Sequence, residues 1–151
     1  MKTKTLVKTS MLSALCLVAT AVIKLPSPIG GYINLGDCTV LLSGFMLSPM
    51  YGFLAAGIGS ALADIFLGYA LYAPVTFVIK GLMALLVSKM GRKRLLGGVL
   101  AEILMVSGYY VFEGFLYGFG ASLINIPANA VQGTVGLILG LILYKGMEKV
   151  K

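Results

Sequence analysis

The stretch PVTFVIKGLMALLVSKMGRKRLLGGVLAEILMVSGYYVFEGFLY, residues 74–117, holds two long apolar runs separated by a compact basic cluster of Lys89, Arg92, Lys93 and Arg94. A helix crosses the hydrocarbon core with roughly 20 apolar residues, and loops rich in Lys and Arg stay on the cytoplasmic side. The stretch therefore reads as two membrane-crossing helices joined by a cytoplasmic turn. Two further basic groups bracket the chain: Lys2, Lys4 and Lys8 ahead of the first apolar run, and Lys145, Lys149 and Lys151 at the end. Only an even number of crossings puts all three groups on one side, leaving Lys24 and Lys80 alone elsewhere.

Composition agrees with that reading. The chain has 151 residues, 59% of them hydrophobic and 11% charged, and its mean hydropathy of +0.99 is far above that of a water-soluble domain. Apolar runs bounded by Gly, Pro or charge predict helices at Leu6 to Ile23, Asp37 to Ser48, Pro49 to Leu67, Pro74 to Lys89, Leu95 to Tyr117 and Pro127 to Tyr144. The second is short, about 18 Å at 1.5 Å per residue, so it is expected to tilt, to be partly re-entrant, or to extend through the loop before it. Pro74 and Pro127 stand where a first helical turn begins, a position that tolerates a missing N–H. The expected fold is all-α: an integral membrane six-helix bundle, a single transmembrane domain over residues 1–151, with both termini cytoplasmic. The first 23 residues resemble a signal peptide, but no A-x-A-like cleavage site leads into a soluble domain, so a retained helix is expected.

Several functions are disfavoured by what the sequence lacks. The net charge of +7 is accounted for by juxtamembrane Lys and Arg meeting anionic lipid heads in the bilayer, so no nucleic-acid partner is expected. There is no His, and Cys16 and Cys38 have no CxxC spacing, which argues against a metal site or a disulfide scaffold. No GxxxxGK[ST] loop occurs, so energy for any ATP-driven process comes from a partner. No catalytic residues and no cofactor are predicted.

Ionisable groups at membrane depth are costly and mark candidate sites. Counting helical rise, Asp64 lies about 6 Å from the outer end of its helix, Lys80 about 10 Å and Glu113 about 6 Å. Asn129 and Gln132 begin the last helix at the same level, whereas Glu102 alone lies in the inner half. Tyr72, Thr76 and Lys80 share one helical line, and Tyr110, Glu113 and Tyr117 another. Aromatic walls with converging hydrogen-bonding groups suit a small flat heterocycle bearing hydroxyl or amine substituents.

Blander readings stand beside each candidate. Asp64 and Lys80 are either pocket groups or a structural ion pair between neighbouring helices. Glu113 is either a ligand contact or a side chain snorkelling to the interface. Asn129 and Gln132 serve either a ligand or interhelical hydrogen bonding. Tyr69, Tyr72, Tyr109, Tyr110 and Tyr117 are either interface belt or pocket wall. Small residues at three- or four-residue spacing, Ser10 and Ala14, then Ala55, Gly59 and Ala63, then Gly133, Gly136 and Gly140, pack the bundle or dock another membrane subunit.

Three segments carry a family resemblance. PSPIGGYINLGD (26–37), GIGSALADIFLGY (57–69) continuing into APVTFVIKGLM (73–83), and IPANAVQG (126–133) together resemble the S components of energy-coupling factor (ECF) importers, in the riboflavin and hydroxymethylpyrimidine branch. The resemblance implies a vitamin-capturing subunit in a prokaryotic cell membrane. It implies a loop with Tyr32, Asn34 and Asp37 lidding an outward pocket in which Thr76, Lys80, Glu113, Asn129 and Gln132 hold the ligand. Without a ligand role, Asn34 and Asp37 read as caps of the second helix. The resemblance further implies docking of helix one, at Ser10 and Ala14, on a membrane coupling subunit (T component) that joins two ATPase subunits. Hydroxymethylpyrimidine- or pyridoxine-like rings are favoured over riboflavin. Two rival readings are a stand-alone ion-coupled carrier, using Asp64, Lys80, Glu113 and Glu102 as a relay, and a small intramembrane enzyme. Against the relay, Glu113 and Glu102 are about 16 Å apart on one helix.

Overall fold

The computed structural model describes residues 3–149; Lys2 and Lys151 of the terminal basic groups lie outside the described residues. In chain order the elements are α1 (Thr3–Val22), β1 (Lys24–Pro26), β2 (Tyr32–Asn34), α2 (Gly36–Met46), α3 (Pro49–Phe66), α4 (Ala73–Met90), α5 (Arg94–Tyr117), α6 (Phe119–Ser122) and α7 (Asn125–Glu148). α1, α3, α4, α5 and α7 are each long and apolar enough to cross a membrane, and α2 is a shorter apolar helix. With α2 they form the expected six-helix membrane bundle.

Helix boundaries follow the local chemistry. Pro opens α3 and stands in the first turn of α4, where the N–H groups have no intrahelical partner to lose. Gly91 ends α4 at φ 54° and Gly118 ends α5 at φ 93°, left-handed conformations that glycine adopts without a Cβ clash. The last helix begins at Asn125, two residues before the expected start at Pro127. Pro127 is still inside the first turn and costs no hydrogen bond there, so it does not mark the boundary.

The basic groups gather at one end. Arg94 Nη2 donates to the Tyr144 hydroxyl at 2.6 Å and to Glu148 Oε1 at 3.2 Å, tying the α4–α5 turn to the end of α7. The Ser88 hydroxyl donates to Leu47 O at 2.7 Å, bringing the α2–α3 turn to that same end. The opposite end carries the β1–β2 hairpin, in which Lys24 pairs with Asn34 in antiparallel register, together with the α3–α4 turn and α6.

α2 is the centre of the bundle. It packs against α1, α3, α4 and α7, and every residue from Gly36 to Gly44 is buried. Its 11 residues cover only about 16 Å; the chain reaches it through β2, whose Asn34 is already buried. Close approach to its neighbours requires glycine: a Cβ on Gly44 would fall 2.6 Å from the Ala84 carbonyl oxygen of α4. On α1 the buried face is Leu12, Cys16 and Thr20, whereas Ser10 and Ala14 are exposed.

Candidate functional site

The innermost polar cluster begins at Asp37, in the first turn of α2. One carboxylate oxygen takes the ammonium of Lys80 from α4, and the other accepts Gln132 Nε2 from α7 at 2.6 Å. Gln132 Oε1 in turn accepts the Asn34 backbone N–H at 2.8 Å. Asn34 Oδ1 accepts the N–H of Gly36, the first residue of α2, also at 2.8 Å. The Lys80 ammonium also lies 5.5 Å from the centre of the Tyr109 ring, close enough for attraction to its π face. One carboxylate and one ammonium neutralise each other here, and the second carboxylate oxygen meets the neutral Gln132 amide. That is the condition under which a buried ion pair is tolerated.

A second layer lies nearer the hairpin end. Tyr32 donates its hydroxyl to Asp64 Oδ1 at 2.5 Å, while Asp64 Oδ2 has no partner among the described residues. Burial, and then the negative charge of Asp64, push the Tyr32 phenol far above its ordinary pKa, so it stays a proton donor. Glu113 of α5 accepts Asn125 Nδ2 at 2.9 Å and, more distantly, the Tyr72 hydroxyl at 3.4 Å. Thr76 and Tyr109 share a hydrogen bond of 2.9 Å between their hydroxyls.

The segment between β1 and β2 straps this layer down. The Ser27 hydroxyl lies 2.7 Å from both Gly30 O and Asn125 Oδ1. Gly31 adopts φ 72° with Tyr72 beneath it, and a Cβ on Gly30 would lie 2.8 Å from the Tyr117 hydroxyl. Tyr32, Tyr69 and Tyr72 form an aromatic row with ring centres 4.8 Å and 6.2 Å apart. Beneath the strap remains a cavity of about 30 Å³, walled by Tyr32, Asn34, Asp64, Tyr72, Thr76, Tyr109, Glu113, Asn129 and Gln132. That is the volume of about one water, well below the about 300–1,000 Å³ of a ligand pocket.

The structure thus brings Tyr32, Asn34, Asp64, Tyr72, Thr76, Glu113, Asn129 and Gln132 to one cavity and leaves three expected residues off its wall. Asp37 and Lys80 are beneath it, joined to each other. Of the two readings of Asp64 and Lys80, the ion pair between them does not form, because α2 brings Asp37 to Lys80. Asp37 makes no cap of its own helix; the α2 N-terminus is served by Asn34 instead. Tyr110 faces away, packed edge-on against Phe119 with ring centres 5.8 Å apart. Its neighbour Tyr109 takes the wall position four residues before Glu113, a spacing as helical as the three residues from Tyr110.

Two contributors escaped sequence reasoning. Asn125 orients Glu113 and meets Ser27 across 98 residues of chain; a helix start at Pro127 leaves Asn125 in a loop, and Ser27 lies in the connection between β1 and β2. The signal was an Asn two residues before Pro127, in a position that can belong to a first turn.

Comparison with known proteins places this arrangement. Residues 1–149 match the family model described as the ECF-type riboflavin transporter, S component. A Pyrococcus woesei protein described as "Uncharacterized protein in gap 3'region" is 37% identical over 130 residues, 82% of this chain and 87% of its own. The thiamine precursor transporter HmpT of Lactococcus lactis subsp. cremoris is 26% identical over 125 residues, 83% of this chain and 75% of its own. A solved structure of the S component of a bacterial ECF transporter superposes with a TM-score of 0.79 at 24% identity, covering 97% of this chain and 96% of that one. The fold is therefore that of an S component.

Proposed function

The chain belongs to the ECF-type riboflavin transporter S-component family, and from that premise we propose that it captures a small, donor-bearing heterocyclic vitamin or vitamin precursor at the outer face of a prokaryotic cell membrane. The observation that carries this reading is the charge of the cavity wall. Asp64 and Glu113 both border the cavity, and both are met only by neutral donors, Tyr32, Tyr72 and Asn125. The nearby cation, Lys80, is committed to Asp37. A wall with two carboxyl groups and no free cation among its described residues favours neutral or cationic rings carrying amine or hydroxyl donors, and repels phosphorylated forms.

Size supports the same choice. A cavity of about 30 Å³ must open for any ring, by lifting of the strap from Ser27 to Gly31, and a single substituted ring demands less opening than a tricyclic flavin. Hydroxymethylpyrimidine-like rings come first, pyridoxine-like rings second and riboflavin third. The resemblance to HmpT, named for thiamine-precursor transport, supports the first. With the hairpin end outside, the basic end faces the cytoplasm. The chain has no P-loop, so release and uptake depend on a membrane T component and two ATPase subunits, with the exposed Ser10–Ala14 face of α1 as the docking surface.

The test is calorimetric titration of the purified full chain in detergent with hydroxymethylpyrimidine, its phosphate, pyridoxine, riboflavin and thiamine. One-to-one binding of an unphosphorylated single-ring compound is expected, with the phosphate at least tenfold weaker. Folded protein that binds none of them overturns the proposal.

A further inference from the structure

Glu102 of α5 is 8% exposed, and neither of its carboxylate oxygens has a hydrogen-bond partner among the described residues. Its carboxylate lodges against Gly133 of α7, where a Cβ would fall 2.8 Å from Oε2. It does not border the polar cavity. It borders instead a groove of about 660 Å³ between α5 and α7, within the size range of small-molecule sites. The two spaces are back to back on α7: Gln132 faces the cavity and Gly133 the groove.

The groove is otherwise apolar, walled by Val99, Ile103, Val106, Leu137 and Ile138. Of its three hydroxyl side chains, Ser107 and Thr134 are committed to their own helices, donating to Ile103 O and Ala130 O at 2.8 Å each, and Tyr110 stands eight residues, about 12 Å, along α5 from Glu102. Lys80 is held by Asp37 and gives Glu102 no direct contact. A carboxyl group at this depth is costly unless something pairs with it.

We propose that the α5–α7 groove is a second binding site, open to the lipid, for lipophilic amines, with the apolar body along the groove and the ammonium on the Glu102 carboxylate, whose oxygens are buried and turn outward past Gly133 to meet it. Charge complementarity selects this occupant. A lipid acyl chain covers the walls and leaves the carboxylate unmet; an alcohol offers one neutral hydrogen bond. An ammonium supplies a charge-assisted bond, about twice as strong as a neutral one. The walls run from Val99 to Tyr110 on α5, about 16 Å of helix, so the body is elongated.

The experiment uses the full chain in nonionic detergent and dodecylamine as the probe, with dodecanol as the neutral match. Native mass spectrometry is expected to show one dodecylamine per chain, bound at least tenfold more tightly than dodecanol. Glu102→Gln is expected to abolish that preference, and Ser107→Phe, which fills the groove from its wall, to reduce binding of both probes. Dodecylamine is expected to slow labelling of Glu102 by dicyclohexylcarbodiimide at least tenfold. Equal affinity for the two probes, or undiminished amine binding by Glu102→Gln, overturns the proposal. So does a Glu102 that dodecylamine fails to protect but a membrane partner shields, which assigns the groove to a transmembrane helix. Vitamin titration of the same samples reads the other site independently.

Discussion

Lys80 of α4 meets Asp37 of α2 where the two residues are only 2% and 0% exposed. Each charge exists at that depth because the other does. Removing one partner of such a pair leaves an uncompensated buried charge, which costs about 3–5 kcal/mol. Lys80→Met or Asp37→Asn alone is expected to lower the thermal unfolding temperature in detergent sharply, and the double variant to recover most of the loss. If the single variants unfold where the parent does, the pair is not structural.

The carboxyl groups that wall the cavity are expected to act on the ligand. A hydrogen bond to a charged group is worth about 1.5–3 kcal/mol, so Glu113→Gln and Asp64→Asn are each expected to weaken binding by tenfold or more, with insertion unchanged. Asn129→Ala should weaken it less, since Asn129 is neutral. Calorimetric titration measures all three, and unchanged affinity in all would remove this wall from the site.

Gly31 holds φ 72° against the Tyr72 ring. Alanine there takes on left-handed strain of about 1–2 kcal/mol and a tight ring contact, both in the closed strap. Gly31→Ala is expected to speed ligand dissociation several-fold in stopped-flow measurements; an unchanged off-rate would show that the strap does not retain the ligand.

Ser10 and Ala14 are exposed on α1 and contribute nothing to its buried face. Leu at either position is expected to spare ligand binding by the isolated chain and to cut uptake by cells that also express the T component and ATPases at least tenfold. Normal uptake by both variants would move docking elsewhere.

The bundle was readable from the sequence because its signals are local. Length and apolarity mark α1, α3, α4, α5 and α7, and the basic groups require even parity without any knowledge of contacts. Partners were less readable, because helical spacing defines a face without saying which helix it meets. Asp64 and Lys80 on consecutive helices made a natural pair, yet α2 intervenes with Asp37. Tyr109 and Tyr110 both lie at helical spacing from Glu113, and only Thr76 across the interface selects the former. Asn125 was hidden by a boundary misplaced by two residues.

The burial of α2 also bears on how the chain is made. Synthesis delivers Asp37 first; the ammonium that neutralises it follows 43 residues later, and the amide on its other oxygen 95 residues later. An 11-residue segment is too short to hold itself across about 30 Å of hydrocarbon, and its carboxylate is unwelcome there alone. α2 is therefore expected to wait at the interface or in the insertion machinery until α4 and α7 arrive. The polar cavity, built on its N-terminus, is then among the last parts of the molecule to form.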